Sequence, residues 1–507
     1  MFSKPKNIFI LLVILLCFTR FLKINWGNNF FFHPDESNMA RAISQLSPQN
    51  LDPGFYAYGQ FPLYIVYFIF KFFNFWFNPS LSINLSFIQA VFGLRILSAI
   101  FSCFTAYFIY LISKIFFKKP KYQLLLFLFI ILNPGLIQIA HFGTTESILS
   151  FVLVFNIYMA LMLHEKIKLK YIFWSALVTG IGIGSKITAL IFILPIIISL
   201  KFNLLLTAYY LLTTGLFSIL STPYYLINFS EFISSMNYET GVATGKIKVF
   251  YTNQFLHTIP YLFQLQKIFP YVTGISTFIL SIFGFLLFIK KKLFNQKYFI
   301  FLIPCLIYFI YFGQLYTKWV RFMAPIFFIF PFFAVLFISK IKSEKLFYLL
   351  TILCLTPGLL FINLYLRPDI RLQASKWIDQ NIVSGKTILS EGGNVINIPI
   401  NTNNHFKTIN FDFYSLENSI KNQEELRNYQ KNADYVLIPS RRVFKNQKGI
   451  SFPFSSQYYK DLFSGKSGFK SLKTFQIKNY FLLDPENAEE TWTVFDHPKI
   501  RLYQKIE

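Results

Sequence analysis

Acidic side chains are scarce over most of this 507-residue sequence. The first 365 residues hold eight Asp and Glu side chains against 28 Lys and Arg. Two of the eight, Asp35 and Glu36, are adjacent and follow the first apolar run, residues 7–22. Acidic groups at a membrane boundary are costly unless they are solvated or paired, so this pair is the first candidate for a functional site.

Cysteine is rare as well, and its placement argues against two kinds of site. All four Cys lie inside apolar segments, so the sequence shows neither a disulfide framework nor the spacing of metal ligands. His33 and His257 also lack such a spacing. We therefore predict no bound metal ion and no cofactor.

Charge of either sign is sparse over the chain as a whole. Charged residues make up 14% of it and hydrophobic residues 54%, whereas a soluble domain carries about 25% charged residues. This composition predicts a polytopic membrane protein that resides in the lipid bilayer. The net charge of +25 does not indicate nucleic-acid binding, because most basic residues flank apolar spans and orient them in the membrane.

Clusters of Lys and Arg between the apolar runs set the predicted topology. By the positive-inside rule they place the N-terminus in the cytoplasm, before a first anchor that is retained. Residues 61–77 are apolar and aromatic but short, and we predict that they lie in the membrane interface. The remaining α-helical crossings number about eleven, at residues 7–22, 88–116, 122–140, 147–163, 171–185, 187–200, 203–221, 271–289, 297–313, 322–339 and 346–365.

An odd number of crossings leaves the C-terminal part outside the cytoplasm. Three of the loops that then face the extracytoplasmic side carry acidic residues, at residues 23–87, 141–146 and 222–270, and Lys186 and the turn at 316–321 lie on the same side. All acidic side chains that the topology turns outward within the membrane part lie in these loops. The acidic pair therefore faces the extracytoplasmic side of the membrane.

The composition changes near residue 366, which predicts two domains. Residues 1–365 form the membrane domain, whereas residues 366–507 carry 20 Lys and Arg and 15 Asp and Glu without an apolar run long enough to cross. We predict a small extracytoplasmic α/β domain here. Its expected elements are a helix at 374–382, strands at 386–390 and 434–438, a loop at 401–404, and two strands within 491–503 around the turn Asp496-His497-Pro498.

The order of several motifs, and their predicted side of the membrane, resembles a known family. In chain order the motifs are Asp35-Glu36, residues 61–64, Arg95 within 93–98, Glu146, Lys186 within 180–195, Arg321, residues 371–378 and residues 494–498. They are similar to those of the polyprenyl-phosphate-sugar glycosyltransferases of the GT-C fold (glycosyltransferase family 39). That family includes protein O-mannosyltransferases and aminoarabinose transferases.

The resemblance implies an enzyme that moves a sugar from a polyprenyl-phosphate donor to a hydroxyl group of an acceptor protein, lipid or glycan. Transfer would take place on the extracytoplasmic face of the plasma (inner) membrane. Because a sugar on a lipid phosphate already has a good leaving group, the reaction needs a base for the acceptor hydroxyl and cations for the departing phosphate. The resemblance implies Asp35 as that base, in an inverting single displacement, with Glu36 as a second catalytic residue.

Four further residues are substrate-binding candidates by the same resemblance: Arg95, Glu146, Lys186 and Arg321. Each candidate has a structural alternative, because the acidic residues could cap helices and the basic residues could anchor spans at the lipid headgroups. Two positions depart from the family pattern. Glu146 stands where the family usually has Asp, and Gln60 stands where His or Lys is common.

A transporter or flippase for lipid-linked sugars is the alternative function. Transporters tend to carry internal repeats and charged groups at mid-membrane. This sequence has no visible repeat, and its acidic residues lie at the predicted membrane boundary. The sequence therefore favours a glycosyltransferase.

Overall fold

The computed structural model describes residues 5–77, 85–393, 395–400, 405–477 and 482–506, and every structural statement below concerns these ranges. The membrane part is built from helices. They are α1 (Pro5–Phe21), α2 (Pro34–Gln45), α3 (Phe61–Phe77), α4 (Phe87–Phe116), α5 (Pro120–Ile131), α6 (Pro134–His141), α7 (Glu146–Glu165), α8 (Leu169–Ile183), α9 (Leu194–Ser199), α10 (Leu204–Ser221), α11 (Tyr224–Ile227), α12 (Phe229–Thr244), α13 (Leu262–Lys267), α14 (Phe269–Thr273), α15 (Ile275–Lys290), α16 (Gln296–Gly313), α17 (Val320–Met323), α18 (Ile329–Ile338) and α19 (Glu344–Leu366). Short 3-10 helices lie at Ile187–Ile193, Phe250–Phe255 and Ala324–Ile326.

Within the described ranges, five helices are long and apolar enough to cross a membrane, and three bent pairs raise the number to eight when each pair is one span. Each of the eleven predicted crossings coincides with one helix or with one broken helix. A crossing needs about 20 apolar residues, and several of these helices are shorter. The number of crossings therefore stays a prediction, and so does the interfacial position of α3.

Helix α7 lies at the centre of the membrane part. Fifteen of its 20 residues are buried, and it packs against α4 and α8. A helix that is apolar on all sides can be enclosed by its neighbours in this way. Its first residue, Glu146, is buried as well, so this acidic side chain needs a partner inside the protein.

Two breaks in the helices shape the region around the acidic pair. Helices α5 and α6 meet at 49°, at Asn133-Pro134, and the segment Val320–Ile326, which contains α17 and Pro325, meets α18 at 50°. Proline interrupts a helix because it has no backbone N–H and its ring clashes with the preceding turn. The second break leaves Arg321 on α17, a short helix whose direction differs from that of α18.

The C-terminal part combines short helices with one sheet. Its elements are α20 (Ile370–Asn381), β1 (Thr387–Gly392), β2 (Lys407–Asp412), α21 (Ile420–Asn432), β3 (Tyr435–Ile438), α22 (Arg442–Asn446), α23 (Pro453–Ser464), β4 (Phe469–Phe475), α24 (Glu490–Val494) and β5 (Ile500–Lys505), with 3-10 turns at Leu416–Asn418 and Pro485–Asn487. The strand order is β2-β1-β3-β5-β4. Strand β1 is parallel to β2 and β3, whereas β5 is antiparallel to β3 and β4.

The small α/β domain expected from the sequence is present. The predicted helix at 374–382 corresponds to α20, and the predicted strands at 386–390 and 434–438 correspond to β1 and β3. All four residues of β3 are buried, as in a central strand that is covered on both faces. The predicted loop at 401–404 lies outside the described residues.

The prediction of two strands within 491–503 is wrong for the first of them. Glu490–Val494 is helix α24, and the strand there is β5, Ile500–Lys505. Glu489 caps the helix, because its Oε2 accepts a hydrogen bond from the backbone N–H of Thr491 at 3.1 Å. Such a cap satisfies a backbone donor of the first turn and favours a helix over an extended segment.

The turn after α24 joins the C-terminal domain to the membrane domain. Asp496 accepts hydrogen bonds from Gln138 Nε2 at 3.1 Å and from the Tyr365 hydroxyl at 2.9 Å. His497 of the same turn contacts Asp496 and is fully buried. These buried contacts hold the C-terminal domain against α6 and α19.

Candidate active site

The acidic pair lies in the first turn of α2. His33 is the N-cap, and its Nδ1 accepts a hydrogen bond from the backbone N–H of Glu36 at 3.4 Å. Pro34 occupies the first helical position, where a missing N–H costs no helical hydrogen bond. Negative charge is favourable at a helix N-terminus, so the local structure supports two carboxylates side by side. The helix begins at Pro34.

Glu36 forms a buried ion pair with Arg95 of α4. Arg95 donates from Nε to Glu36 Oε2 at 2.8 Å and from Nη2 to Oε1 at 2.6 Å. The backbone N–H of Gly143 donates to Oε2 as well, at 2.8 Å. Both carboxylate oxygens are engaged, and the Glu36 side chain has no exposed surface. This pair links α2 to α4 and to the turn between α6 and α7.

Arg95 has further partners in the loop between α1 and α2. Its Nη1 donates to the carbonyl oxygens of Ile24 at 3.1 Å and Trp26 at 2.8 Å. Its guanidinium carbon lies 4.5 Å from the centre of the Trp26 ring. A guanidinium with this many buried partners fixes geometry and is already occupied, so these contacts favour a positioning role for Arg95 and Glu36.

Asp35 faces a different partner and remains accessible. Its carboxylate forms an ion pair with Nη1 of Arg321, which also donates to the Tyr58 hydroxyl at 3.3 Å. About a quarter of each charged side chain is exposed, 24% for Asp35 and 25% for Arg321. The Arg321 guanidinium stacks over the Trp319 ring, with its central carbon 4.6 Å from the ring centre. Both members of this ion pair therefore keep some exposed surface.

A second ion pair lies next to the first. Lys186 Nζ is 3.3 Å from Oε1 of Glu146, and these side chains are 12% and 4% exposed. The same ammonium lies 4.8 Å from the centre of the Tyr58 ring. Tyr58 therefore contacts Lys186 of one pair and Arg321 of the other.

Tyr58 is held there by a close approach of two backbone segments. The N–H groups of Gly59 and Phe61 donate to the carbonyl oxygens of Ser185 and Gly184, each at 2.9 Å. A Cβ atom on Gly59 would lie 2.1 Å from the Gly184 oxygen, so only glycine allows this approach. The loop before α3 is thereby fixed beside the turn that carries Lys186, between α8 and the 3-10 helix Ile187–Ile193.

The charges around Asp35 set its protonation state. Burial alone would raise the pKa of Asp35, but Arg321, His33 and Lys186 together hold that pKa below its ordinary value. Burial lowers the pKa of His33, which keeps its ring neutral. At neutral pH the site therefore holds an ionised Asp35 carboxylate beside a permanent guanidinium charge.

The structure brings four of the six sequence candidates into one cluster around Tyr58: Asp35, Glu146, Lys186 and Arg321. Glu36 and Arg95 lie behind this cluster and engage each other. Gln60 is buried, and its Oε1 accepts from the backbone N–H of Tyr224 at 3.0 Å, which is a structural contact. Among the described residues, no three His, Cys, Asp or Glu side chains gather as a metal site would require.

Two members of the site were missed from the sequence. Tyr58 lies in an aromatic loop with no motif of its own, and the glycine that follows it was the available signal. Glu239 of α12 lies close enough to interact with Asp35, Lys186 and Arg321; burial raises its pKa, and the two cations oppose that rise. Its signal was the scarcity of acidic residues in the membrane part.

Known proteins resemble this chain in sequence over one segment and in fold over its whole length. Residues 76–226 match the family model described as dolichyl-phosphate-mannose-protein mannosyltransferase. The crystal structure of ArnT from Cupriavidus metallidurans in the apo state matches with a TM-score of 0.50 and 10% identity, covering 98% of both chains. The same protein bound to undecaprenyl phosphate matches with a TM-score of 0.45 and 10% identity, covering 97% of both chains. No curated protein matches the sequence.

The fold defines the class of the protein. The match to apo ArnT over the whole chain shows a GT-C fold, in a multi-pass membrane protein with a small C-terminal sheet domain. The family model matches residues 76–226, less than a third of the chain, and this segment lies within the membrane part of that fold. Neither comparison supports the transporter alternative.

Proposed function

We propose that this protein is a glycosyltransferase that moves a sugar from a polyprenyl-phosphate donor to a hydroxyl group of an acceptor on the extracytoplasmic face of the plasma membrane. The observation that carries the proposal is the pair of Asp35 and Arg321, a carboxylate and a cation that both keep some exposed surface. The matched family is named for a dolichyl-phosphate sugar donor, which supports a polyprenyl phosphate as the lipid.

The reaction is a single displacement at the anomeric carbon. Asp35 accepts the proton of the acceptor hydroxyl while the acceptor oxygen forms its bond to the anomeric carbon. The bond between that carbon and the phosphate oxygen breaks, and its electron pair leaves with the polyprenyl phosphate. Attack from the side opposite the phosphate inverts the sugar configuration. Arg321 and Lys186 stabilise the charge that grows on the departing phosphate.

The pairing of Asp35 with Arg321 is compatible with a role as base. In the free protein the guanidinium lowers the pKa of Asp35, which makes the carboxylate a weak base. A donor phosphate bound to Arg321 supplies negative charge and competes for that guanidinium. Because a nearby negative charge disfavours ionisation of a carboxylate, the pKa of Asp35 rises when the donor binds. The base is thereby strengthened in the complex that reacts.

The remaining candidates support Asp35, Arg321 and Lys186. Glu146 is buried beside Lys186 and orients the ammonium, with the side chain one methylene longer than the Asp usual in the resembling family. Glu36 and Arg95 hold the first turn of α2 in place and contact no open surface. We propose that Glu146, Glu36 and Arg95 position the site. Asp35, Arg321 and Lys186 contact the substrates.

The direct test is transfer by the purified full-length protein in nanodiscs. Polyprenyl-phosphate sugars that differ in the sugar are supplied one at a time, and mass spectrometry follows the formation of free polyprenyl phosphate. We expect one donor to be consumed in a reaction that depends on the protein. Absence of turnover with every donor in a broad panel, in the presence of candidate acceptors, would contradict the proposal.

A further inference from the structure

One cavity is lined by none of the residues of the Asp35–Arg321 site. It has a volume of about 330 Å³ and is enclosed by the segment that runs from Gln254 into α13 and by the C-terminal domain around α22 and Pro485–Asn487. Helices α13 and α14 meet α15 at 116°, so they run across the end of that helix instead of extending it. We name this space the basic cavity.

The basic cavity collects positive charge. Lys267, Arg441, Lys445 and Lys448 line it, and Glu486 is the one carboxylate among its described lining residues. Glu486 is already bound by Arg501 and lies 4.0 Å from Lys499. The lining therefore holds four cations against one carboxylate, and Glu490 and Glu489 lie close enough to Arg441 to interact with it.

Arg441 is the deepest of these cations. Its side chain is 8% exposed, and one of its terminal nitrogens donates to the carbonyl oxygen of Ala488. Its Nε is buried and has no hydrogen-bond partner among the described residues. Buried N–H groups, and those of a guanidinium above all, are normally paired. This unpaired donor belongs to a residue that lines the cavity.

The position of Arg441 in the fold also favours a ligand site at the basic cavity. It lies three residues after β3, and β3 is parallel to β1. In open α/β sheets, ligands bind in the crevice outside the carboxyl ends of such strands. Arg441, just after the carboxyl end of β3, lines the basic cavity.

We propose that the basic cavity binds a phosphate-bearing anion that is distinct from the donor at Arg321. Arg441 provides planar donors for phosphate oxygens, and Lys267, Lys445 and Lys448 provide point charges around it. Lys445 already donates to the Glu486 carbonyl oxygen at 2.9 Å, which holds its ammonium at the cavity wall. A phosphate group accepts several hydrogen bonds at once and matches this set of donors.

Two observations bear on the charge and on the source of the ligand. Burial and the nearby Arg441 lower the pKa of Lys445, an unfavourable crowding of cations that a bound anion relieves. The rim of the cavity carries apolar side chains, with Ile259 63% and Leu262 41% exposed. The phosphate can therefore belong to the headgroup of an amphiphile or to a small soluble ion.

The test measures binding of two probes to the full-length protein in phosphatidylcholine nanodiscs. Inorganic phosphate represents the soluble ion and dihexanoyl phosphatidic acid the amphiphile, and calorimetry gives the dissociation constant of each. We expect at least one probe to bind, and Lys267→Gln with Lys448→Gln to weaken that binding by about tenfold or more, since two charges near the phosphate are lost. Binding of both probes would assign the site to the phosphate group itself, and binding of phosphatidic acid alone would assign it to an amphiphile.

Two control variants keep this test separate from the proposed catalytic site. Lys466→Gln with Lys470→Gln removes two exposed charges of the same domain outside the cavity and should leave binding unchanged. Arg321→Ala should also leave it unchanged, whatever it does to sugar transfer. The inference is overturned if neither probe binds, if the Lys267 and Lys448 substitutions have no effect, or if Arg321→Ala alone abolishes binding.

Discussion

Asp35 and Glu36 are adjacent in α2, yet their surroundings give them different tasks. Glu36 is enclosed, with both oxygens bound by Arg95 and Gly143. Asp35 is a quarter exposed and faces Arg321. A group that takes a proton from a substrate has to reach that substrate. Of the two acids, Asp35 meets this condition.

The pH dependence of the reaction should report the change at Asp35. Activity is lost as pH falls through the pKa of this carboxylate, because the protonated acid cannot serve as base. In the free enzyme that pKa lies below its ordinary value, so the acid limb of kcat/KM should fall below about pH 4. The acid limb of kcat should lie at higher pH, since kcat reports the complex in which phosphate occupies Arg321.

Initial rates measured across pH at low and at saturating donor check this expectation. As a control, samples exposed to acid are returned to neutral pH and then assayed, which shows whether folded protein was lost. If Asp35 is the group that titrates, Glu239→Gln should leave the acid limbs of kcat and kcat/KM at the same pH as in the wild type. Coincident limbs in kcat and kcat/KM would contradict the coupling between the phosphate and Asp35.

Arg321 should contribute to donor binding and to turnover together, because the phosphate is charged before the reaction and gains charge during it. Arg321→Ala should weaken donor affinity by about 10- to 100-fold, as expected for lost hydrogen bonds to a charged group. Arg321→Lys should restore part of the loss, since an ammonium binds as a point charge without the planar fork. Lys186→Ala should have a milder effect.

Donor affinity and turnover of these three variants in nanodiscs provide the measurement. Folding is controlled by comparing their thermal unfolding with that of the wild type. If Arg321→Ala left both affinity and rate unchanged, Arg321 would be a membrane anchor and the phosphate would have to bind elsewhere.

Among the secondary-structure elements, the buried pair of Glu36 and Arg95 fixes α2 against α4. Removing one partner of a buried ion pair leaves an uncompensated charge and costs about 3–5 kcal/mol. Glu36→Ala and Arg95→Ala should each lower the unfolding temperature clearly. The double variant should be no less stable than the worse single variant, because no charge is then left without a partner.

Thermal unfolding of the three variants in one detergent gives the interaction between the two side chains. Asp35→Asn serves as the matched control, since it changes the neighbouring acid at a partly exposed position and should unfold near the wild-type temperature. Additive losses in the double variant would indicate that the two residues do not act as a pair.

The elements that the sequence predicts correctly are those with a strong local pattern. Long apolar runs give helices such as α4 and α7, and a short apolar run gives β3. The site required contacts between distant residues: Arg95 is 59 positions from Glu36, and Arg321 is 286 positions from Asp35. The order of these residues along the sequence and their predicted side of the membrane identified them as candidates. The folded structure distinguishes the buried pair of Glu36 and Arg95 from the partly exposed pair of Asp35 and Arg321.

Where local patterns compete, tertiary contacts decide. Residues 490–494 form α24 because Glu489 caps them, which the apolar spacing alone does not reveal. Tyr58 reaches the site because the loop that carries it pairs with the backbone at Gly184 and Ser185. A pairing of this kind joins residues more than 120 positions apart and leaves no periodic signal in the sequence.

At the scale of the whole molecule, the predicted topology orients the acidic pair. With eleven crossings and α3 in the interface, position 84 should face outside and Lys119 the cytoplasm. Single cysteines at these positions, in a chain whose four native Cys are replaced, should react with an impermeant thiol reagent from opposite sides. Position 84 lies outside the described residues. Labelling of Asn84→Cys from the cytoplasm and Lys119→Cys from outside would refute this topology.

A hydrogen bond between the two domains indicates that they act together. Glu489 of the C-terminal domain accepts a hydrogen bond from the backbone N–H of Val320 at 3.2 Å. Val320 directly precedes Arg321 in α17. The C-terminal domain therefore braces the helix that carries the proposed phosphate-binding cation.

The kinetics of Asp35→Asn test the central claim most directly, because that claim assigns the base of sugar transfer to one carboxylate. Asparagine keeps the size of the side chain but cannot take the proton, so turnover should fall by about 10²–10⁴-fold. Donor affinity should be unchanged or tighter, since Arg321 loses its acidic partner and a base acts only in the transition state. Turnover near that of the wild type, with the donor bound normally, would contradict the account.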